Sequence, residues 1–450
     1  MSEAVVPDKF PDESPDNTAE GARAAKRAKL AKRKQRRYVA LGLVALWLVL
    51  VCWQAPAVTL ATTSQIRGVW MTNTAAAINY YSFRLDDAVA NLAEHQINTL
   101  YPSVWNQGYT LYPNQVTKRA GGSCCDRIAN VPLYPFDDIL HSLTRQAHRH
   151  NMRLIPWFEY GLMIPASSPI ARAHPEWLTT NQAGETVPAQ LSAHPLLPTP
   201  LKNFQLEITG GNLAWLNPLH PEVQQFLTDL IVDVVQRYPV DGIQLDDHFS
   251  LPISMGYDPY SVQLYKDTHG GAPPPEDPSA PGWVAWRAHA ITSLLADITQ
   301  AVKQVRPEAI VSVSPNPPGF AYRKYLQDWV RWVNLGIVDE VVVQLYRDDL
   351  SIFEKDLYNS GFHDLRNQVP IAIGLYTGPL DSAKDFSRTV DEIAAVQEAG
   401  YRGISFFSWE TTFWFLKKVP DMELRHTLDR LFQSYCPNNG YPFSDGGPPF

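Results

Sequence analysis

The residues best placed to do chemistry are gathered in one run, Asp241-Gly242-Ile243-Gln244-Leu245-Asp246-Asp247-His248-Phe249. Cleavage of a glycosidic bond asks for two carboxyl groups. One donates a proton to the leaving oxygen, and the other stabilises or attacks the cationic sugar. Neighbouring carboxyls repel when both are ionised, and a dry cleft disfavours both charges, so one of them keeps its proton near neutral pH. The run reads as a strand that ends in its two acids. Side chains alternate along a strand, so Gln244 and Asp246 share a face, and a polar glutamine there marks that face as the inside of a barrel. Asp247 points away in a regular strand, but it lies where the chain turns and is expected to reach the same cleft; the alternative is that it caps the following segment and leaves Asp246 alone in the site. This reading makes Asp246 the stabiliser or nucleophile and Asp247 the general acid. Glu159, after Pro156-Trp157-Phe158, and Glu410, after Phe407-Ser408-Trp409, are the substitutes for the acid role. Asp348 and Asp349 also follow an apolar run. For such acids a helix cap or an arginine partner is the ordinary alternative.

Trp70, Trp105, Trp157, Tyr346, Tyr376 and Trp409 end six of the apolar runs. Flat aromatic faces suit sugar rings. Asn73, Asn106 and Asn316 suit hydroxyl or acetamido groups. The expected substrate-binding residues are therefore Trp70, Asn73, Trp105, Trp157, Asn316, Tyr346, Tyr376 and Trp409. The plainer alternative for the aromatics is the top layer of a packed core. No metal ion and no cofactor are expected. The first strand ends Met71-Thr72-Asn73 without a His-x-His pair, and no Walker loop, Gly-x-Ser-x-Gly elbow or Cys-x-x-Cys pair is present. An ion site at Asp246, Asp247 and His248 is a weaker reading. His141, His148 and His150 read as a solvated helix face.

These residues need a frame. The chain has 450 residues, 45% of them hydrophobic, which excludes wholesale disorder. Residues 1–66 hold ten basic and six acidic residues, and the rest of the chain has a net charge of −12. So acidic a body is a poor partner for nucleic acid, which wants a basic face. From Ile66 onward, short apolar runs alternate with amphipathic ones. The eight strand candidates are Ile66–Asn73, Thr99–Trp105, Arg153–Glu159, Gly242–Asp247, Ile310–Pro315, Glu340–Tyr346, Ile371–Tyr376 and Gly403–Trp409. Helices are expected between them, for example at Arg84 to His95 and at Pro221 to Arg237, with Gly336 and Gly400 as C-caps. Helix-to-strand links are short, whereas three strand-to-helix links are long, 106–135, 160–220 and 249–282. Long insertions on one rim fit an α/β fold of the (β/α)8 TIM-barrel type, whose sites lie at the C-terminal face. A doubly wound sheet is the runner-up.

The amino end has its own pattern. Arg23 to Arg37 is strongly basic, and Tyr38 to Ile66 carries no charge. The expected division is a disordered basic cytoplasmic tail over 1–37, a single transmembrane signal-anchor helix over 38–58, the barrel over 59–436 and a tail over 437–450. A basic flank keeps the amino end in the cytoplasm. This predicts a single-pass inner-membrane protein with its barrel on the periplasmic side. A cleaved signal peptide with Ala55-Pro56-Ala57 at its end is the alternative. A disulfide from Cys124 or Cys125 to Cys436 is a further option in an oxidising compartment.

Several of these motifs coincide with one family. Ile66-Arg67-Gly68-Val69-Trp70-Met71-Thr72-Asn73, the 241–249 run, Ser314-Pro315-Asn316, Val343-Gln344-Leu345-Tyr346 and the stretch 403–410 resemble the glycosyl-hydrolase-like 10 family of bacterial envelope proteins. The resemblance spans about Gln65 to Asp421. It implies a (β/α)8 barrel and, as substrate, the N-acetylated glycan strands of peptidoglycan after loss of their peptides. The 241–249 run is also similar to that of chitinase-like barrels. It departs from them in having Gln244 in place of an inner aspartate and His248 in place of the catalytic glutamate. Other N-acetylglucosaminidase barrels use an Asp-Asp pair after strand four, one member orienting the acetamido group and the other protonating the leaving oxygen. Asp246 and Asp247 suit those roles. The expectation is a membrane-anchored glycoside hydrolase acting on envelope polysaccharide. The alternative is a barrel that binds glycans without cutting them.

Overall fold

The computed structural model describes residues 15–58, 60, 64–125, 137–187, 213–378, 383–414 and 416–433. The chain divides into two units, 1–54 and 55–450. The described part of the first unit is one helix, Pro15–Cys52, and Trp53 follows it. Residues 15–37 are thus helical where a structureless tail was expected.

The transmembrane anchor expected over 38–58 is not upheld. Among the described residues, no helix is long and apolar enough to cross a membrane. The reason is length. The uncharged part of the helix runs only from Tyr38 to Cys52, and Pro56, which lies outside it, cannot extend it. At about 1.5 Å per residue this part spans roughly 22 Å, short of a hydrocarbon core of about 30 Å. The single-pass inner-membrane placement, and with it the contact of 38–58 with the cytoplasmic membrane, falls with the anchor. Cys436 and the expected tail 437–450 lie outside the described residues.

The second unit is the eight-stranded parallel barrel. Its strands are β1 (Ile66–Met71), β2 (Thr99–Pro102), β3 in two pieces (Arg153–Leu154 and Trp157–Phe158), β4 (Gly242–Asp246), β5 (Ile310–Ser314), β6 (Glu340–Gln344), β7 (Ile371–Tyr376) and β8 (Gly403–Phe407). Each pairs with its successor, and β1 pairs with β8 to close the ring. Proline explains the break in β3, because Pro156 has no N–H to give the ladder, although its carbonyl accepts from Gln244 N at 2.8 Å. The expected second strand stops at Pro102. Trp105 leaves the barrel for a small hairpin in which Trp105–Asn106 pairs with Tyr109–Thr110.

The barrel interior holds Ile66, Trp70, Tyr101, Ile155, Trp157, Val342 and Ala372 around a polar spine. At the lower end Arg153 Nη1 meets Glu340 Oε2 at 2.9 Å, and Tyr101 Oη donates to Glu340 Oε1 at 2.8 Å. Higher up, Ser312 Oγ donates to Glu340 Oε1, Gln244 Nε2 donates to Ser312 Oγ, and Trp70 Nε1 donates to Gln244 Oε1 at 2.7 Å. Every polar atom named here has a partner, which is what makes a polar interior tolerable. The outer core lies between strands and helices. Helix Pro221–Arg237 buries Val223, Phe226, Leu227, Leu230, Ile231, Val234 and Val235, which includes the apolar stripe expected from its spacing. The other expected helix forms as Leu85–Glu94, and Gly336 and Gly400 have positive φ after their helices. His150 corrects the expectation of a solvated face: it is fully buried, and its Nδ1 accepts from Val58 N at 3.0 Å.

Candidate active site

The strand that carries Gln244 inward carries Asp246 inward two residues later, at the C-terminal rim. Asp246 is 3% exposed, and both of its oxygens are held. Oδ1 accepts from Ser314 Oγ at 2.8 Å and from Gln344 Nε2 at 2.7 Å. Oδ2 lies 3.2 Å from His248 Nδ1. The chain then turns, closed by Phe249 N donating to the Asp246 carbonyl at 3.0 Å. The turn swings Asp247 back beside its neighbour. Asp247 Oδ2 accepts from Asn316 Nδ2 at 2.6 Å, and Oδ1 lies 3.4 Å from the same His248 nitrogen. Both acids therefore meet at the C-terminal rim beside His248.

His248 ties the pair together. Its Nδ1 also lies 3.0 Å from the Glu159 carbonyl oxygen, so Nδ1 carries hydrogen and donates among three oxygens. Asp246, Asp247 and His248 each offer a ligand-type atom within 4.8 Å of the others. With Nδ1 in use as a donor, that nitrogen holds a proton rather than an ion. Burial opposes a charge on the ring, but Asp247 and Asp246 outweigh it and lift the imidazolium to about 10 from 6.5. Burial and then the Asp247 charge push Asp246 up to about 7, against the pull of His248 and Ser314. Asp246 thus keeps its proton up to about neutrality.

A stability test follows from the histidine. The folded chain holds the His248 proton more tightly than the unfolded chain does. Its contribution is complete below about pH 6.5 and is lost as pH rises through about 10. The raised Asp246 has a lower window, with stability lost from about 3.8 through about 7. Melting temperature is expected to fall over the upper window, and less steeply in His248→Gln. Equal slopes in the two proteins would show that His248 is not the group responsible.

The two other candidate acids occupy the same rim. Glu159 Oε2 accepts from Ser103 Oγ and Asn106 Nδ2, each at 2.6 Å. Burial raises its carboxyl, and these two donors only partly offset the rise. Glu410 is 5% exposed and reaches from the end of β8 across to the end of β1. Its Oε1 accepts from Thr72 Oγ1 at 2.5 Å and from Thr72 N at 3.1 Å, while the buried Oε2 has no hydrogen-bond partner among the described residues. Asp349 is a helix cap, accepting from Ile352 N at 3.0 Å.

The aromatics divide. Trp70 and Trp157 are at most 3% exposed and pack against each other inside the barrel, with ring centroids 6.2 Å apart. Trp105 is fully buried against Phe226, outside the barrel. Trp409 is buried against Trp414. These four tryptophans are core, where a sugar platform was expected. Tyr346 and Tyr376 are half-buried and lie 5.4 Å apart beside Phe407. Burial, then the charges of Asp246 and Asp247, push the Tyr346 phenol well above its usual range. Asn316 is in the site through Asp247. Asn73 starts helix Asn73–Tyr81 and is half-buried. The partners that sequence reasoning missed are Ser314, Gln344, Ser103 and Thr72. Gln344 had a signal, because it precedes Tyr346 by two residues on an inward face. Ser103 and Thr72 had none.

Comparison with known proteins agrees with this architecture. The family model described as "Glycosyl hydrolase-like 10" matches residues 65–385. A protein of Escherichia coli K12 named "Glycosyl hydrolase DigH" is 24% identical over 323 residues, covering 65% of this chain and 67% of the relative. "Glycosyl hydrolase YngK" of Bacillus subtilis strain 168 is 20% identical over 244 residues, covering 47% of this chain and 39% of the relative. Among solved structures, the PgaB (BpsB) glycoside hydrolase domain of Bordetella bronchiseptica superposes with a TM-score of 0.57 at 12% identity, covering 81% of this chain and 99% of that one. At that identity the superposition speaks for the fold alone.

Proposed function

The chain belongs to the glycosyl-hydrolase-like 10 family, and from that premise we propose that it hydrolyses O-glycosidic bonds in the peptide-free, N-acetylated glycan strands of peptidoglycan. The observation that carries the reading is the pair Asp246 and Asp247, adjacent at the C-terminal rim and both within 3.4 Å of His248 Nδ1. Relatives named as glycosyl hydrolases support the reaction class.

The geometry favours one division of labour. Every oxygen of Asp246 is already hydrogen-bonded, which suits a stabiliser better than a nucleophile. Asp247 is the more exposed of the two and takes the general-acid role. Their ligand-type oxygens lie within 4.8 Å, on consecutive residues and one side of the cleft. Paired carboxyls that flank a bond stand farther apart, with room between them for the sugar or for a water. The arrangement supports attack by the sugar's own acetamido oxygen on its anomeric carbon. The bond to the leaving oxygen breaks, Asp247 gives that oxygen its proton, and Asp246 steadies the acetamido N–H as positive charge develops. Water then opens the intermediate and returns a proton to Asp247. Glu159 and Glu410 are the reserve acids.

New reducing ends released from peptide-free strands test the proposal. Release is expected to rise as pH increases through about 7, where Asp246 ionises and can steady the acetamido group. Products should keep the anomeric configuration, and sugars without an acetamido group should resist. Inversion, or equal cleavage of acetamido-free glycans, would sink the substrate-assisted route. A barrel that only binds glycans has less support, because four of the six candidate aromatics are buried in the core.

A further inference from the structure

Cys124 and Cys125 are neighbours in the chain, and their thiols meet, Sγ to Sγ, at 3.0 Å. They lie in the first long insertion, after helix Gln115–Arg119. Hydrogen bonds hold the backbone around them. The Cys124 carbonyl accepts from Asn114 N at 2.6 Å and from Thr110 Oγ1 at 3.4 Å. The Ser123 carbonyl accepts from Thr117 Oγ1 at 2.7 Å. Asn114 is itself anchored, since its Nδ2 donates at 2.9 Å to Asp233 Oδ2 on helix Pro221–Arg237. Thr110 belongs to the hairpin that presents Asn106 to Glu159, so the thiols adjoin a segment that reaches the rim.

The two thiols differ in access. Cys125 is 2% exposed and packs in the core, whereas Cys124 is half-buried at its margin. A reachable sulfur beside a sheltered one is the arrangement of an attacking thiol and a resolving thiol.

We infer that Cys124 and Cys125 form a redox site that reacts with a disulfide-bearing molecule and closes to a vicinal disulfide. The inference is independent of the hydrolase reading. The Cys124 thiolate attacks one sulfur of the incoming disulfide. That S–S bond breaks, and one half leaves as a thiol. Cys125 Sγ then attacks Cys124 Sγ, and the other half leaves as a thiol. Two protein thiols are oxidised, one disulfide is reduced, and the two thiol protons end on the leaving groups. The contact of 3.0 Å already lies in the range of about 3–3.5 Å for reacting atoms, so the second step needs little movement. Reversal is built in as well. Neighbouring residues have Cα atoms about 3.8 Å apart, below the span of about 4.4 Å or more that relaxed disulfides take, so the closed ring is strained and readily reduced.

Oxidised glutathione is the probe, added to the full chain, with intact mass and peptide mapping as readouts. The wild type is expected to lose two hydrogens, about 2 Da, to keep no glutathione, and to carry its new bond between Cys124 and Cys125. Dithiothreitol should restore the mass. Cys125→Ser should stop with one glutathione on Cys124. The mixed disulfide on Cys124 should resolve at least about tenfold faster in the folded chain than in urea, where the thiols are no longer held together. A lasting glutathione adduct on Cys124 of the wild type, a disulfide from either cysteine to Cys52 or Cys436, or no reaction at Cys124 and Cys125 would overturn the site. So would equal resolution rates with and without urea.

Discussion

Asp246→Asn is expected to fold like the wild type and to lose turnover by about a thousandfold, the scale of a removed electrostatic stabiliser. The substitution changes almost no volume. Its amide oxygen can still accept from Ser314 and Gln344, so the inner end of the site keeps its shape. The other position changes sign. An NH2 group would face His248 Nδ1–H, which now points at Oδ2 from 3.2 Å, and two donors cannot share that contact. The stabilising charge goes, and the imidazolium loses one of the two carboxylates that hold its proton. Titration of His248 followed by NMR should therefore drop below the wild-type value of about 10 in the same variant. Circular dichroism and the urea midpoint report the fold, and reducing-end release reports turnover. Wild-type turnover in a folded Asp246→Asn chain would remove Asp246 from the reaction.

The second large effect is on the frame. Gly403→Ala is expected to cost at least about 3 kcal/mol, because overpacking here meets backbone and has nothing soft to displace. Gly403 opens β8 and is paired on both sides, with Ile66 of β1 and Ala372 of β7, at the seam that closes the barrel. A Cβ there would lie 1.8 Å from the Ile66 carbonyl oxygen, and the residue has φ of +154°. Neither strand can withdraw without opening the ring that presents Asp246, Glu159 and Glu410 to one cleft. Gly282→Ala is the control. Gly282 lies in helix Pro281–Val305 with nothing near its missing Cβ, and the change should be neutral or stabilise by up to about 1 kcal/mol. A Gly403→Ala chain with the wild-type urea midpoint would contradict the β1–β8 register.

The barrel was legible because its cues are local. Period-two patterns marked the strands, proline and glycine marked the helix ends, and the lengths of the links marked one rim as the working face. The dyad was legible for the same reason, since Gln244 declared the inward face and Asp246 follows it at spacing two. The aromatics were misread because a strand end does not say how deep a ring sits. Trp70 and Trp157 fill the barrel, a fact set by opposing strands more than a hundred residues away in sequence. The anchor was misread because hydropathy counts the uncharged run to Ile66, whereas a helix stops at Cys52, before the run is long enough. The donors Ser103 and Thr72 are assembled by long-range closure and have no pattern of their own in the chain.

The most direct test of the account is mass spectrometry of peptide-free peptidoglycan strands after incubation with the full chain, beside Asp246→Asn. The account predicts shorter oligosaccharides from the wild type, each cut adding one water, and intact strands from the variant. Intact strands from both proteins, or the same fragments from both, would contradict it.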